Sequence, residues 1–209
     1  MTKTRILVVD DQLMARQLFE MYIGADAKYE LAGSVASASY AEAFVQQVDV
    51  DMVIMDILMN DGSNGLDAAE KIKKVRPNIK IVAVTSMVEA SWLKQAKKIG
   101  IDSFWYKESS KETIIEVLDR TIAGESVYPD APPKVRLGLA NSEEFTDREL
   151  AVLRLMTTGM SNAKIAQKLD ITQNTVKTHI MHMLDKTGCS NRTELAIEAR
   201  VRGIVVNID

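Results

Sequence analysis

The sequence of 209 residues is poor in cysteine and has no long apolar run. Its single cysteine, Cys189, excludes an intrachain disulfide and argues against a cysteine metal site. The longest uncharged apolar run is too short for a membrane span, and the first residues lack the order of a signal peptide. Since 26 basic side chains nearly balance 29 acidic ones, no global charge favours nucleic acid. We expect a soluble, cytoplasmic protein without membrane contact.

Proline is also scarce, and three of the four prolines fall within residues 125–141. Proline lacks an amide donor and restricts the preceding residue to extended conformations, so this stretch suits a linker better than a packed element. We therefore predict two domains, residues 1–124 and 142–209, joined by a linker over residues 125–141.

Before this linker, short apolar runs alternate with segments of helical period. Continuous apolar runs such as Ile6–Val9 and Val53–Met55 fit strands that are buried on both faces. The alternation predicts a doubly wound α/β domain whose parallel sheet is covered by helices. The predicted strands are Arg5–Val9, Tyr29–Gly33, Met52–Met55, Ile79–Val84 and Ser103–Tyr106. The predicted helices are Met14–Ile23, Ala41–Val48, Leu66–Val75, Trp92–Ile99 and Glu112–Ile122.

After the linker, every segment has a short helical pattern. Thr146 and Glu149 form a capping box in front of the first helix, and Ser161 and Thr172 can cap the next two. The sequence thus predicts a separate all-α domain of four helices, the last ending at Gly203. These helices are Asp147–Thr157, Asn162–Leu169, Gln173–Thr187 and Asn191–Arg202.

Polar side chains follow the apolar runs at the ends of four predicted strands. The first strand ends at Asp10 and Asp11 and the third at Asp56, while Thr85 and Lys107 end the fourth and fifth. In doubly wound sheets these ends line the functional crevice. Three carboxylates in one crevice repel one another unless a cation lies between them, and oxygen ligands alone favour Mg²⁺ or Mn²⁺. A divalent ion with a lysine and a hydroxyl can hold a phosphoryl group, so the pattern suggests phosphorylation of Asp56.

Residues 1–124 resemble the receiver domain of two-component response regulators. The motifs that carry the resemblance are Val-Val-Asp10-Asp11, Ile-Met-Asp56-Ile-Leu-Met, Val-Ala-Val-Thr85-Ser86 and Phe104-Trp-Tyr-Lys107. The resemblance implies a flavodoxin-like domain of five parallel strands in the order 2-1-3-4-5. It also implies that a sensor histidine kinase phosphorylates Asp56. Thr85 would hydrogen-bond the phosphoryl oxygens, Lys107 would pair with them, and Phe104 would be the switch aromatic. The implied Mg²⁺ ligands, direct or through water, are Asp10, Asp11, Asp56 and the backbone carbonyl of Leu58.

The chain departs from the receiver pattern at two places. After Asp56, Asn60 stands where the family usually has proline, and Asn64-Gly65 arrives one residue later than usual. We therefore expect a loop one residue longer, with unchanged chemistry at Asp56. Glu108 follows the lysine where many receivers have proline, which predicts that the usual cis peptide is absent.

The predicted helix Gln173–Thr187 has one apolar and one polar face. The apolar face combines Val176, Ile180, Met183 and Leu184 at helical spacing, so it should pack inward. From Ser161 to Arg192 there are five basic and two acidic residues, whereas residues 142–209 balance at nine and nine. Attraction to DNA phosphates would therefore come from one patch, and dimerisation would supply much of the affinity.

The second domain resembles the LuxR-type helix-turn-helix, and the whole chain resembles the NarL/FixJ class of transcriptional regulators. The motifs are Phe145-Thr-Asp-Arg-Glu149, Met160-Ser-Asn-Ala-Lys-Ile-Ala166, Asn174-Thr-Val-Lys-Thr-His179 and Asn191-Arg-Thr193. Partners implied by this class are double-stranded promoter DNA and, on phosphorylation, a second copy of the chain, with RNA polymerase as a further candidate. The implied base contacts are Lys177, Thr178 and Met181. Phosphate contacts would come from Asn174, Thr175, His179 and Lys186. Because Met181 replaces a lysine of relatives, it can touch a thymine methyl but cannot donate to guanine.

Two alternatives to a phosphorylation-controlled regulator stay open. An aspartate-nucleophile phosphohydrolase uses similar carboxylates, but it should carry a second acid two residues after its nucleophile, where this chain has Leu58. A degenerate receiver would be an interaction module controlled in another way. The longer loop after Asp56 favours that alternative, whereas the complete set of pocket residues opposes it. We expect a regulator that is not an enzyme.

Overall fold

The computed structural model describes residues 2–87, 90–107, 110, 112–131 and 133–202. The expectations for Glu108 and Gly203 lie outside these residues. The chain divides into two compact units near Ala131. Among these residues, no helix has the length and apolar character that a membrane crossing requires.

A parallel sheet of five strands forms the centre of the first unit. Numbered along the chain, the strands lie side by side in the order 2-1-3-4-5, and every adjacent pair is parallel. This arrangement confirms the predicted doubly wound fold and strand order. The strands are β1 (Thr4–Val9), β2 (Tyr29–Val35), β3 (Met52–Asp56), β4 (Lys80–Thr85) and β5 (Ser103–Tyr106).

The five helices of the first unit follow the strands in alternation. Phe19 and Ile23 of α1 share a buried cluster with Val117 and Leu118 of α5 and with alternate sheet residues such as Ile54, so both helices lie on the same face. In α3, Gly65 approaches the carbonyl end of β3 closely. A short 3-10 helix, Ala38–Tyr40, precedes α2 and was not predicted. The helices are α1 (Leu13–Ala25), α2 (Ala41–Gln47), α3 (Gly65–Val75), α4 (Ala90–Ile99) and α5 (Ile114–Ile122).

The second unit contains the four predicted helices together with a hairpin that was not predicted. In the hairpin, β6 (Arg136–Leu137) pairs antiparallel with β7 (Ala140–Asn141). The side chain of Asn191 accepts hydrogen bonds from the Thr193 and Glu194 amides, so this residue caps the last helix instead of starting it. The helices are α6 (Asp147–Thr157), α7 (Asn162–Leu169), α8 (Gln173–Thr187) and α9 (Arg192–Val201).

A tight turn joins α7 to α8. Asp170 ends α7 in the left-handed conformation, at φ 52°, which short polar side chains tolerate better than branched ones. Two residues later, the Thr172 hydroxyl accepts the Thr175 amide at 3.1 Å and starts α8. The turn therefore fixes the helix-turn-helix geometry through local hydrogen bonds.

The predicted linker of residues 125–141 is too long at both ends. Val127 is buried in the first core, and its carbonyl accepts the Phe104 amide at 2.8 Å. At the other end, Leu137 is fully buried in the second core. The prolines lie in the middle of this stretch. Their presence gave no indication that apolar residues on either side of them pack into the two cores. We propose that residues 129–134 link the two domains.

The approach of α3 to β3 generates the first testable prediction. A Cβ atom at Gly65 would lie 1.9 Å from the carbonyl oxygen of Asp56, whereas one at Gly24 in α1 would meet nothing within 4 Å. We expect Gly65→Ala to lower the unfolding free energy of the first domain by about 1–3 kcal/mol. The matched control, Gly24→Ala, should leave it unchanged or raise it by up to about 1 kcal/mol.

Urea unfolding followed by tryptophan fluorescence measures this difference. Both tryptophans of the chain, Trp92 and Trp105, lie in the first domain, so the signal reports on that domain alone. Equal effects of the two substitutions would contradict the close approach.

Candidate functional site

Three carboxylates come together at the carboxyl ends of β1 and β3. These strands are neighbours, and the pairing of Val9 with Met55 brings Asp10 beside Asp56. Ligand oxygens of Asp10, Asp11 and Asp56 all lie within 4.8 Å of one another. Asp10 and Asp56 are buried, and Asp11 is partly buried. The sheet therefore brings together the acidic residues predicted from the strand ends.

Lys107 joins this cluster from the end of β5. Its Nζ atom lies 2.6 Å from Asp10 Oδ2 and 2.8 Å from Asp56 Oδ2. Its backbone amide donates to the carbonyl of Thr85 at 2.9 Å, which fixes the lysine beside the end of β4. Although burial opposes it, the charges of Asp56 and Asp10 raise the pKa of Lys107. The lysine is therefore a fixed cation in the pocket.

One lysine does not neutralise the buried acidic cluster. The pKa of Asp56 is raised from 3.8 to about 6, mainly by burial and also by the charges of Asp10 and Asp11, against the lowering effect of Lys107. The ionised form of Asp56 is therefore unfavourable in the protein alone. Any further cation among these oxygens would favour that form.

Asp11 has one oxygen in use and one without a partner. Its Oδ2 atom accepts the backbone amide of Asn60 at 2.6 Å. Its Oδ1 atom is buried and has no hydrogen-bond partner among the described residues. A buried carboxylate oxygen in this state is costly, and three carboxylates are the oxygen donors that a hard divalent cation takes. The donor set therefore fits the divalent ion expected from the sequence.

Thr85 and Phe104 are buried residues of β4 and β5, respectively. Thr85 is buried at the end of β4, next to Lys107. Phe104 is also buried, and its ring lies 5.1 Å from the ring of Tyr106 and 6.2 Å from that of Tyr128. Sequence reasoning missed Tyr128, because it had placed this residue in the linker.

Backbone groups around the carboxylates were also missed. The Gln12 amide donates to Asp10 Oδ1 at 2.9 Å, and Asn60 supplies the amide on Asp11. Backbone donors leave no mark in a sequence, so no signal could have identified them. The peptide of Leu58 is held by an isolated antiparallel bridge to Asn64, which supports a defined position for the carbonyl implied as a ligand.

The helix α8 presents its predicted polar face to solvent. Val176, Ile180 and Met183 are buried on the opposite face, as the apolar pattern predicted. Met181 is 54% exposed. Thr175 and His179 are only partly exposed. The exposed members of the predicted contact set are Asn174, Lys177, Thr178 and Met181.

Lys186 does not belong to this exposed set. Its Nζ atom lies 3.0 and 2.8 Å from the two carboxylate oxygens of Glu149 and 2.8 Å from the carbonyl of Glu144. Glu149 is buried, and the lysine ammonium also lies over the ring of Phe145. These contacts occupy the three donors of the ammonium. The expected phosphate contact is therefore replaced by a structural ion pair.

Comparisons with known proteins show the family of the chain. The family model for the response regulator receiver domain matches residues 6–119, and that for bacterial regulatory proteins of the luxR family matches residues 143–199. Response regulator protein VraR of Staphylococcus aureus is 34% identical over 200 residues, which cover 93% of this chain and 95% of the relative. The chain is a response regulator. Its family consists of transcription regulators with a DNA-binding domain, not of enzymes, so the phosphohydrolase alternative fails.

Solved structures share the fold of this response regulator. RcsB of Salmonella typhimurium is 16% identical, with a TM-score of 0.56 and coverage of 96% of this chain and all of that one. A structure of two RcsB dimers bound to two parallel DNAs has a TM-score of 0.61 at 16% identity and covers both chains fully. A LuxR-family regulator from an Aurantimonas species is 21% identical, with a TM-score of 0.56, over 60% of this chain and 89% of that one. At these identities the likeness shows the fold alone.

The raised pKa of Asp56 generates a prediction about pH and stability. The pKa of Asp56 is about 6 in the folded response regulator, compared with the ordinary value of 3.8 that applies to the unfolded chain. The folded state therefore stays protonated to a higher pH than the unfolded state. Stability should therefore fall as the pH rises from about 4 to 6 and stay reduced above that range. We expect Asp56→Asn, which cannot ionise, to be more stable than the unmodified chain by about 3 kcal/mol at pH 8.

The measurement is urea unfolding of both proteins with a metal chelator present, at several pH values. The stability difference should disappear below about pH 3, where Asp56 is protonated in both the folded and the unfolded state. A difference that does not change with pH would contradict the effect of burial on Asp56.

The ion pair between Lys186 and Glu149 leads to a prediction about the stability of the second domain. Lys186→Met keeps the apolar stem but leaves the buried carboxylate of Glu149 unpaired, so we expect a loss of about 1–3 kcal/mol in the second domain. Hydrogen exchange of the amides in α6 and α8 should become faster. The control is Lys177→Met, an equal charge change on the exposed face. Unchanged exchange in the Lys186 variant would restore the residue as a candidate phosphate contact.

Proposed function

We propose that Asp56 accepts a phosphoryl group from a sensor histidine kinase and that this modification controls dimerisation and promoter binding. The observation that carries the proposal is the cluster at the strand ends. It combines three carboxylates whose oxygens lie within 4.8 Å of one another with Lys107, which hydrogen-bonds two of them, Asp10 and Asp56. A divalent cation bound among these oxygens would favour the ionised, nucleophilic form of Asp56 and would offset the negative charge of an incoming phosphoryl group.

The proposed metal ligands are the three carboxylates and one carbonyl. Mg²⁺, or Mn²⁺ in its place, fits an all-oxygen set. The Oδ1 atom of Asp11 supports this choice, since it is a buried carboxylate oxygen without a hydrogen-bond partner among the described residues. When bound, the ion supplies positive charge next to the phosphoryl oxygens. The residues that would hold it are Asp10, Asp11, Asp56 and, through its backbone carbonyl, Leu58.

The chain's own residues would perform the transfer and respond to it. A carboxylate oxygen of Asp56 bonds to phosphorus while the bond from phosphorus to the kinase histidine nitrogen breaks. Lys107, already 2.8 Å from Asp56, would pair with a phosphoryl oxygen. The Thr85 hydroxyl would donate to another, and Phe104 would shift inward as the end of β4 moves. The receiver surface thereby changes its preference for a partner.

In the second domain, we propose that the exposed face of α8 enters the major groove of promoter DNA. Lys177, Thr178 and Met181 would contact base edges, and Asn174 would contact a phosphate. Partial exposure makes Thr175 and His179 secondary phosphate contacts. Since the domain as a whole is nearly neutral, two copies of the chain would be needed for tight binding. RNA polymerase is a further candidate partner.

The test compares promoter binding by the full chain before and after treatment with phosphoramidate and Mg²⁺. DNA selected from a random-sequence pool serves as the probe, and fluorescence anisotropy gives the affinity. We expect phosphorylation to tighten binding by about tenfold and Asp56→Asn to abolish this response.

Two controls separate the switch from DNA contact. Lys177→Met should weaken binding in both states, whereas Lys94→Met, an equal charge change on exposed α4, should not. Equal affinity of the phosphorylated and unphosphorylated chains at all protein concentrations would refute the proposal.

A further inference from the structure

The longer loop after Asp56 has a closed, hydrogen-bonded form. Its ends meet in the antiparallel bridge between Leu58 and Asn64. Inside it, the Gly62 amide donates to the Met59 carbonyl at 3.2 Å, and Gly62 takes a φ of 82° that other residues rarely adopt. We call residues 59–64 the pocket loop. Its position is therefore set by specific contacts.

Ser63 attaches the pocket loop to the segment that follows β2. Its hydroxyl accepts the backbone amide of Ala38 at 3.1 Å and donates to Asp61 Oδ1 at 2.7 Å. The Ser37 hydroxyl lies 3.3 Å away. Ala38 and Ser37 are buried, so this attachment joins the loop to a buried segment of the domain.

The other end of the pocket loop touches the acidic cluster. The Asn60 amide donates to Asp11 Oδ2 at 2.6 Å, and Asp11 Oδ1 is left buried without a partner among the described residues. The loop therefore decides which oxygen of Asp11 is taken and which is left for a cation. Through its bridge to Asn64, Leu58 is held by the same loop.

We propose that Ser63 is a positioning residue for the divalent cation. It touches no ligand atom of the cluster. By fixing the pocket loop to Ala38, it holds the Asn60 amide against Asp11 and the Leu58 peptide at the mouth of the pocket. The inference rests on the proposed Mg²⁺ site and deepens it, because it assigns part of the cation affinity to a side chain outside the ligand set.

The chemistry of the attachment requires a hydroxyl group. Its partners are a donor, the Ala38 amide, and an acceptor, the Asp61 carboxylate, and only a group that both accepts and donates can bridge them. Ser63→Thr keeps this group, whereas Ser63→Ala removes it. Loss of residues that orient metal ligands typically weakens binding tenfold to a hundredfold. Because Ser63 acts through a loop, we expect a smaller effect of about fivefold.

Titration calorimetry of the full chain with Mg²⁺ tests the inference. Ser63→Ala should weaken Mg²⁺ binding by about fivefold, and Ser63→Thr should restore it. Ser39→Ala is the matched control, since its hydroxyl contacts Ser37 in the same segment without touching the pocket loop.

A second readout separates positioning from general damage. The rate of phosphorylation by phosphoramidate should need more Mg²⁺ for half-saturation in Ser63→Ala, while the rate at saturating Mg²⁺ equals that of the unmodified chain. Unchanged Mg²⁺ affinity in Ser63→Ala would overturn the role of Ser63, whether or not the phosphorylation rate at saturating Mg²⁺ is lower. If the unmodified chain binds no Mg²⁺, the proposed cation site fails together with this role.

Substitution of exposed Asp61 gives an independent route if Ser63→Ala does not fold. Asp61→Ala removes the acceptor of the Ser63 hydroxyl and should weaken Mg²⁺ binding. Asp61→Asn keeps an acceptor oxygen and loses the same charge. A larger effect of alanine than of asparagine supports the attachment, and equal effects of the two would overturn it.

Discussion

Three carboxylates meet one lysine where β1, β3 and β5 end, and this imbalance of buried charge governs the rest of the receiver domain. Lys107 contacts Asp10 and Asp56 directly, yet the pKa of Asp56 still rises to about 6 because burial penalises its ionised form. A site of this kind is stabilised by added positive charge and changes when a phosphoryl group arrives. On our proposal, the same imbalance underlies cation binding, the reactivity of Asp56 and switching.

The surrounding fold holds this costly arrangement in place. Gly65 allows α3 to start against the carbonyl of Asp56, where a side chain would collide with the backbone. An amide of the pocket loop donates a hydrogen bond to Asp11, and Ser63 of the same loop is hydrogen-bonded to the segment after β2. Both contacts come from the region where the sequence departs from the receiver pattern. The departure thus lies in residues that support the carboxylates and not in the carboxylates themselves.

Sequence reasoning was accurate where a side chain's role follows from its strand. Asp10 and Asp56 could be placed together because parallel strands bring their carboxyl ends to one edge. It failed where tertiary contacts decide. Val127 follows helix α5 and lies near prolines, but its burial depends on β5, which the local pattern cannot show. The resemblance to the LuxR-type domain implied that Lys186 contacts a phosphate, but a buried glutamate 37 residues away in the sequence occupies its ammonium group. The amide on Asp11 belongs to the backbone, so residue identity carried no information about it.

The central claim is that a cation-dependent oxygen cluster makes Asp56 accept phosphate. The most direct test treats the chain with phosphoramidate, either with Mg²⁺ or with a chelator, and measures its intact mass. Borohydride reduction of the acyl phosphate and peptide mapping then identify the modified residue. The account predicts the gain of one phosphoryl group, at Asp56, only when the metal is present. An unmodified chain, modification at another residue, or equal modification with the chelator would contradict it.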